Sequence, residues 1–138
     1  MSKREPVVIL LGNFNADLIS ALNKEGIKVR FFGDIDNYQD LDGDILLIDK
    51  ALEAKAFTVL KLKTMVPIAF VENQYFVNYD PSREHGFAFL YKNNDSYSQF
   101  AAVVRAVESF KFPYDWKNIL SEVKNVVDRV EFNEFSED

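Results

Sequence analysis

Five short runs rich in apolar residues recur along this chain, and they constrain its fold more than any other feature. The runs occupy residues 7–11, 27–32, 45–48, 67–71 and 87–91. Apolar runs of this length are typical of strands buried on both faces of a sheet. Leu18, Ile19 and Leu22, with helical spacing, follow the first run, and Gly26 ends that helix. Strands alternating with helices predict an α/β domain with a parallel sheet covered on both faces.

Two connections carry weaker signals for a helix. Residues 34–44 are rich in acidic and turn-forming side chains, so at most one short helical turn is expected there. In residues 74–84, Tyr75, Phe76 and Tyr79 have the spacing of one helical face, and Pro81 would end such a helix. We therefore predict one short or missing helix in the first case and one short helix in the second.

Composition excludes several classes of function. The 138 residues suffice for one domain with its own core, and the net charge of −6 argues against non-specific binding of nucleic acid. The absence of cysteine and the single His85 exclude a thiolate zinc site and a histidine metal cluster. The apolar run after Pro6 is too short for a signal peptide core or a membrane span. We expect a cytoplasmic protein without a nucleic-acid or membrane partner.

Polar residues follow the predicted strands. Gly12 and Asn13 follow the first strand, Asp49 the third, Glu72 the fourth and Lys92 the fifth. The carboxyl ends of parallel strands meet at one edge of a sheet, where α/β proteins place their ligands and chemistry. These residues are therefore the candidate site.

The placement of an Asp after the third strand and a Lys after the fifth resembles the receiver domain of bacterial two-component response regulators. The resemblance covers about residues 7–110. It implies a flavodoxin-like, five-stranded parallel sheet in the order 2-1-3-4-5, here with an extra C-terminal helix. It also implies that Asp49 occupies the phosphoacceptor position, Lys92 the position of the lysine that contacts the phosphoryl oxygen, and Phe89 that of the aromatic residue that switches rotamer on activation.

Three positions of the family's site differ in this chain. The acidic pair that helps to hold magnesium corresponds to Gly12 and Asn13, and the Ser or Thr after strand four corresponds to Glu72. Magnesium sites are built from carboxylates and phosphate oxygens, and without the ion a transferred phosphoryl group lacks its main stabiliser. We expect no cofactor and slow or absent phosphotransfer to Asp49. If magnesium does bind, Asp34 and Asp49 are its predicted ligands.

The changed residues suggest another use of the site. If Glu72 and Asp49 both flank Lys92, its ammonium group can bridge two carboxylates in a fixed ion network. The alternative is that Glu72 points to solvent at the end of its strand. Both interpretations leave the candidate site without phosphoryl chemistry.

The segment after Pro113 is predicted as a separate unit, so the chain divides into a receiver-like domain, residues 1–112, and a C-terminal helix with an acidic tail, residues 113–138. The candidate dimerisation residues have coiled-coil spacing and are Trp116, Leu120, Val123, Val127 and Val130. Two alternatives are open, a helix folded back on its own domain and a helix paired between two chains. Beyond Val130 the sequence is acidic and contains two phenylalanines that could dock on a partner, although a loose tail is the favoured interpretation.

These features favour a signalling protein with a degenerate receiver domain, a pseudo-receiver that acts as a phosphorylation-independent protein-interaction or dimerisation module and not as an enzyme. The expected partner is a protein of a signalling pathway or a second copy of the chain. Two alternatives remain, an atypical response regulator phosphorylated on Asp49 and a small-ligand binder at the carboxyl ends of the strands.

Overall fold

The computed structural model describes residues 5–31, 43–73, 75–83 and 85–136, with side chains described up to residue 129. A 3-10 turn, Lys50–Leu52, leads into the second helix. The strands are β1 (Val7–Leu11), β2 (Lys28–Phe31), β3 (Ile45–Ile48), β4 (Val66–Phe70) and β5 (Phe89–Tyr91). The helices are α1 (Ala16–Lys24), α2 (Glu53–Leu62), α3 (Ser96–Phe110) and α4 (Pro113–Ser136).

The strands in the described part of the chain form one parallel sheet in the order β2-β1-β3-β4-β5. This order confirms the predicted flavodoxin-like α/β fold. All four residues of β3 are buried, as expected for a central strand covered on both faces. Leu11 of β1 is in register with Ile48 of β3, so the residues that follow them, Gly12 and Asp49, lie side by side.

The helices cover both faces of the sheet. The β1–α1–β2 and β3–α2–β4 crossovers run in opposite directions along the sheet, so right-handed connections place α1 and α2 on opposite faces. Helix α3 packs against α1, and α4 packs against α2. Within the described residues, no helix combines the length and the apolar character that a membrane crossing requires.

The C-terminal helix packs on its own chain. Trp116, Val123 and Val127 are buried in the core and Leu120 is partly buried against it, while the side chain of Val130 lies outside the described residues. The fully buried Ile119 lies on the same face, because a straight helix that covers a globular core presents a broader apolar face than a coiled-coil seam does. Four of the five candidate dimerisation residues are therefore engaged in intrachain packing, and pairing two chains through them would require α4 to leave the domain.

The connection between β4 and β5 contains no helix among its described residues, so the helical face suggested by the spacing of Tyr75, Phe76 and Tyr79 does not form. The Asn73 side chain accepts hydrogen bonds from the backbone N–H groups of Tyr75 and Phe76, which turns the chain immediately after the strand. Phe76 stacks on Phe57 of α2 with 5.0 Å between ring centroids. The aromatic spacing that resembled a helical face thus reflects an irregular segment packed into the core.

The same segment shortens the last strand. Residues 87–91 were predicted as strand, but β5 comprises Phe89–Tyr91. The N–H groups of Phe87 and Ala88 donate to the carbonyl of Val77 in the preceding loop and not to β4. A loop that pairs with the start of a strand cannot be recognised from apolar content alone.

Candidate functional site

Asp49 contacts the β1–α1 loop directly. One carboxylate oxygen, Oδ2, accepts a hydrogen bond of 3.1 Å from the backbone N–H of Asn13, and Oδ1 accepts one of 3.1 Å from the N–H of Ala51. The second bond caps the 3-10 turn that begins at Lys50. Both oxygens of the phosphoacceptor-equivalent residue are therefore hydrogen-bonded by backbone groups, and the carboxylate joins two loops.

Gly12 packs against the same carboxylate. Its φ angle of +115° is one that residues with side chains rarely adopt. A Cβ atom built there would lie 2.8 Å from Oδ2 of Asp49 and closer still to its Cβ. Position 12 therefore has no space for a side chain unless Asp49 moves.

Lys92 and Glu72 lie at the same edge but do not form the expected network. Both side chains are exposed, and in the described part of the chain no ion pair joins Lys92 to Asp49 or to Glu72. The hypothesis of a fixed bridge between two carboxylates is therefore wrong, and the solvent-exposed alternative for Glu72 holds. Asp34, the other predicted magnesium ligand, lies outside the described residues.

No cluster of three or more His, Cys, Asp or Glu side chains that could hold a metal occurs among the residues that the structure describes. Asp49 contacts the loop after β1, and both of its oxygens already accept backbone hydrogen bonds.

The buried Tyr91 is hydrogen-bonded to the backbone next to Asp49, an interaction that the sequence analysis does not predict. Its hydroxyl donates a 2.7 Å hydrogen bond to the carbonyl of Ile48, the residue before Asp49, and so links β5 to β3 across β4. Burial raises the pKa of the Tyr91 hydroxyl to about 12, and the nearby Asp49 carboxylate adds to the increase, whereas a hydrogen bond from Gln99 opposes it. The sequence does indicate that Tyr91 is buried, because it lies two residues after Phe89 and therefore on the same face of β5.

Phe89, at the position of the switch aromatic, is buried and packs against Tyr79 with 6.2 Å between ring centroids. Tyr79 belongs to the irregular β4–β5 connection and is itself buried. A change of rotamer at Phe89 would therefore have to displace Tyr79 as well.

A cleft of about 520 Å³ lies beside the site, between the β1–α1 loop and the loop that follows β5. Two of its polar side chains cap helices: Asn15 accepts from the N–H of Asp17, and Asp95 accepts from the N–H of Ser98. Asn13 lines the cleft but Asp49 does not. The lining residues are Asn13, Phe14, Asn15, Asn94, Asp95, Ser96, Tyr97 and Gln99.

The fold and this edge of the sheet define a flavodoxin-like α/β domain with an aspartate and a lysine at the strand ends. Comparison with known proteins adds no closer assignment, because no family model, no curated protein and no solved structure matches the chain.

Proposed function

We propose that this chain is a receiver-like signalling domain that acts as a protein-interaction module without phosphorylation of Asp49. The observation that carries the proposal is the double engagement of the Asp49 carboxylate by the N–H groups of Asn13 and Ala51, with Gly12 packed against it. The cytoplasm, a reducing compartment suited to a chain without cysteine, is its proposed location.

Phosphoryl transfer to a carboxylate needs one oxygen free to attack phosphorus and charge stabilisation for the phosphoryl oxygens. At Asp49, each oxygen accepts one backbone hydrogen bond, which withdraws charge from it, and the adjoining Gly12 backbone occupies space beside Oδ2. Lys92 supplies a positive charge at the edge, but it does not contact the carboxylate. The geometry favours a structural role for Asp49, as the link between the two loops.

Exposed aromatic side chains support an interaction function. Tyr114 and Phe112 flank Pro113 in the turn between α3 and α4, with exposed fractions of 67 % and 59 %. Tyr97, at the start of α3, is also exposed. Aromatic residues are enriched at protein interfaces, where they bury a large area at a small entropic cost. We therefore place the partner surface on α3 and on the turn that leads into α4.

Incubation with acetyl phosphate and magnesium, followed by intact-mass measurement, tests the absence of phosphotransfer. We expect no phosphoryl adduct, and we expect amide chemical shifts of Asn13 and Ala51 to stay unchanged when fluoroberyllate and magnesium are added. The matched control is Asp49→Asn under the same conditions. An adduct that forms on the natural chain and is absent from Asp49→Asn would refute the proposal and favour the phosphorylated regulator.

The cleft beside the site favours a second candidate function, binding of a small neutral ligand. Its walls combine amide side chains with the rings of Phe14 and Tyr97, a lining suited to a polar ring-containing compound. An NMR screen with nucleosides and monosaccharides tests this candidate. Saturable shifts at Asn13 and Asn94 that disappear in Tyr97→Ala would support it, and the absence of shifts at millimolar ligand would exclude these classes.

A further inference from the structure

Gln99, near the start of α3, is a polar side chain that the fold buries. Only 6 % of its surface is exposed, and it lines the cleft between the β1–α1 loop and the loop that follows β5. Burying an amide is costly unless both its oxygen and its NH₂ group find hydrogen-bond partners. The partners of this one amide therefore indicate what the cleft can bind.

A backbone carbonyl sets the orientation of the Gln99 amide. The carbonyl of Ile48 can only accept, so its 2.7 Å hydrogen bond with Tyr91 uses the single proton of the Tyr91 hydroxyl. Towards every other neighbour, the Tyr91 oxygen can therefore only accept. Burial raises the pKa of the Tyr91 hydroxyl, and Gln99 opposes this increase, as a hydrogen-bond donor does because it stabilises the phenolate. The NH₂ group of Gln99, and not its carbonyl oxygen, consequently faces Tyr91.

The carbonyl oxygen of this amide has no protein donor in the described part of the chain. Nε2 of Gln99 also donates to Oδ1 of Asn94 across 3.4 Å, a long hydrogen bond. Both protons of the NH₂ group are thus directed at protein acceptors. None of the described residues donates a hydrogen bond to Oε1. A buried side chain that lines the cleft therefore retains one unused acceptor.

The other lining residues disfavour an anion and favour a ring. Helix N-termini attract anions, and α1 and α3 both begin at this cleft. Their first turns are already capped by the side chains of Asn15 and Asp95, however. Among the described lining residues Asp95 alone carries a charge, and its carboxylate repels phosphate. Phe14 and Tyr97, the latter 82 % exposed, provide aromatic surface on which a ring can stack.

We propose that the cleft binds an uncharged aromatic ring that carries an amino group, as adenine and cytosine do, and that this amino group donates a hydrogen bond to Oε1 of Gln99. Tyr91 is the positioning residue, because it holds the NH₂ end of the amide and leaves Oε1 for the ligand. The inference rests on the ligand-binding function proposed for the cleft and names its ligand class. A ligand that presents an acceptor at this point leaves two buried acceptors unpaired, which is costly.

Paired nucleosides test the ligand class, with amide chemical shifts of Asn13 and Asn94 as the measure of binding. Adenosine and purine riboside differ by the amino group, and so do cytidine and pyrimidin-2-one riboside. We expect the amino-bearing member of at least one pair to bind at least tenfold more tightly than its partner. Equal affinities within both pairs, or tighter binding of adenosine monophosphate than of adenosine, would overturn the inference but leave the cleft a ligand site. Absence of binding by all of these compounds would refute both this inference and the ligand-binding function, whatever the acetyl phosphate assay shows.

Tyr91→Phe tests the positioning role, because it keeps the buried ring and removes the hydroxyl that holds the amide. The two Nε2 protons of Gln99 should exchange slowly with solvent in the natural chain and several-fold faster in Tyr91→Phe. The preference for adenosine over purine riboside should also fall several-fold, whereas a general structural effect would weaken both compounds equally. Tyr97→Phe is the matched control, since it removes a hydroxyl from the rim and should keep the preference. Rapid exchange in the natural chain, or an unchanged preference in Tyr91→Phe, would overturn the inference.

Discussion

Replacing Gly12 with alanine tests the contact between the β1–α1 loop and Asp49, on which the proposed absence of phosphotransfer rests. The new methyl group meets two penalties. A residue with a side chain held at a φ of +115° costs on the order of 1–3 kcal/mol. The methyl group also collides with Asp49, and such overpacking costs about 1–3 kcal/mol. Gly12→Ala is therefore expected to lower the free energy of unfolding by roughly 2–6 kcal/mol, a large part of the stability of a small domain.

Gly26→Ala is the matched control, because it carries the backbone penalty without the collision. Gly26 has a φ of +74°, and no atom lies within 4 Å of a Cβ built there. Its expected cost is roughly 1–2 kcal/mol. Urea denaturation, with the m-value checked for two-state behaviour, gives both free energies. If Gly12→Ala costs no more than Gly26→Ala, the loop is not packed rigidly on Asp49, and the structural argument against phosphotransfer fails.

Three further substitutions test neighbouring contacts. Asp49→Asn should lower the free energy of unfolding by about 1 kcal/mol, because the asparagine NH₂ group cannot accept one of the two backbone hydrogen bonds. Thermal melts measure this change, and an unchanged stability would contradict the capping role. Tyr91→Phe should also cost about 1 kcal/mol below pH 10 through the lost bond to Ile48. Folding raises the pKa of Tyr91 from 10.0 to about 12. The contribution of Tyr91 to stability is therefore fully present below pH 10 and is lost as the pH rises towards 12. The difference in stability between the natural chain and Tyr91→Phe should shrink across that pH range. Phe57→Ala should lower the free energy of unfolding by about 3–5 kcal/mol, because it removes the ring that Tyr75 and Phe76 pack against. Denaturant titration measures this change. A loss below about 1 kcal/mol would show that other contacts hold the β4–β5 connection in place.

The sheet could be predicted from the sequence because its strands are short apolar runs with clear ends. The limits of β1 and β3 coincide with the predicted runs, and the parallel order of the sheet is confirmed. The β4–β5 connection could not be predicted in the same way. Its conformation depends on one side chain, Asn73, that accepts backbone hydrogen bonds, and on ring contacts with Phe57 that are distant in sequence. Apolar spacing carries no information on either contact.

Some contacts at this edge of the sheet could be predicted from the sequence and others could not. The pairing of β1 with β3 brings Gly12 and Asn13 to Asp49, as the strand order requires. The predicted interaction of Lys92 with carboxylates does not form, because long exposed side chains gain little from an ion pair in water. The hydrogen bond from Tyr91 to Ile48 was missed because it spans 43 residues of sequence and depends on the twist and packing of three strands.

The glycine at position 12 and the geometry of Asp49 are parts of one arrangement. An acidic side chain at position 12 would collide with Asp49, and its carboxylate would repel the aspartate unless a cation lay between them. Glycine removes both problems and lets the β1–α1 loop approach until the N–H of Asn13 reaches Oδ2. The backbone N–H groups of Asn13 and Ala51 then stabilise the negative charge of the Asp49 carboxylate. Introducing an acidic residue at position 12 should therefore destabilise the fold before it creates a metal site, because the β1–α1 loop would have to move away from Asp49.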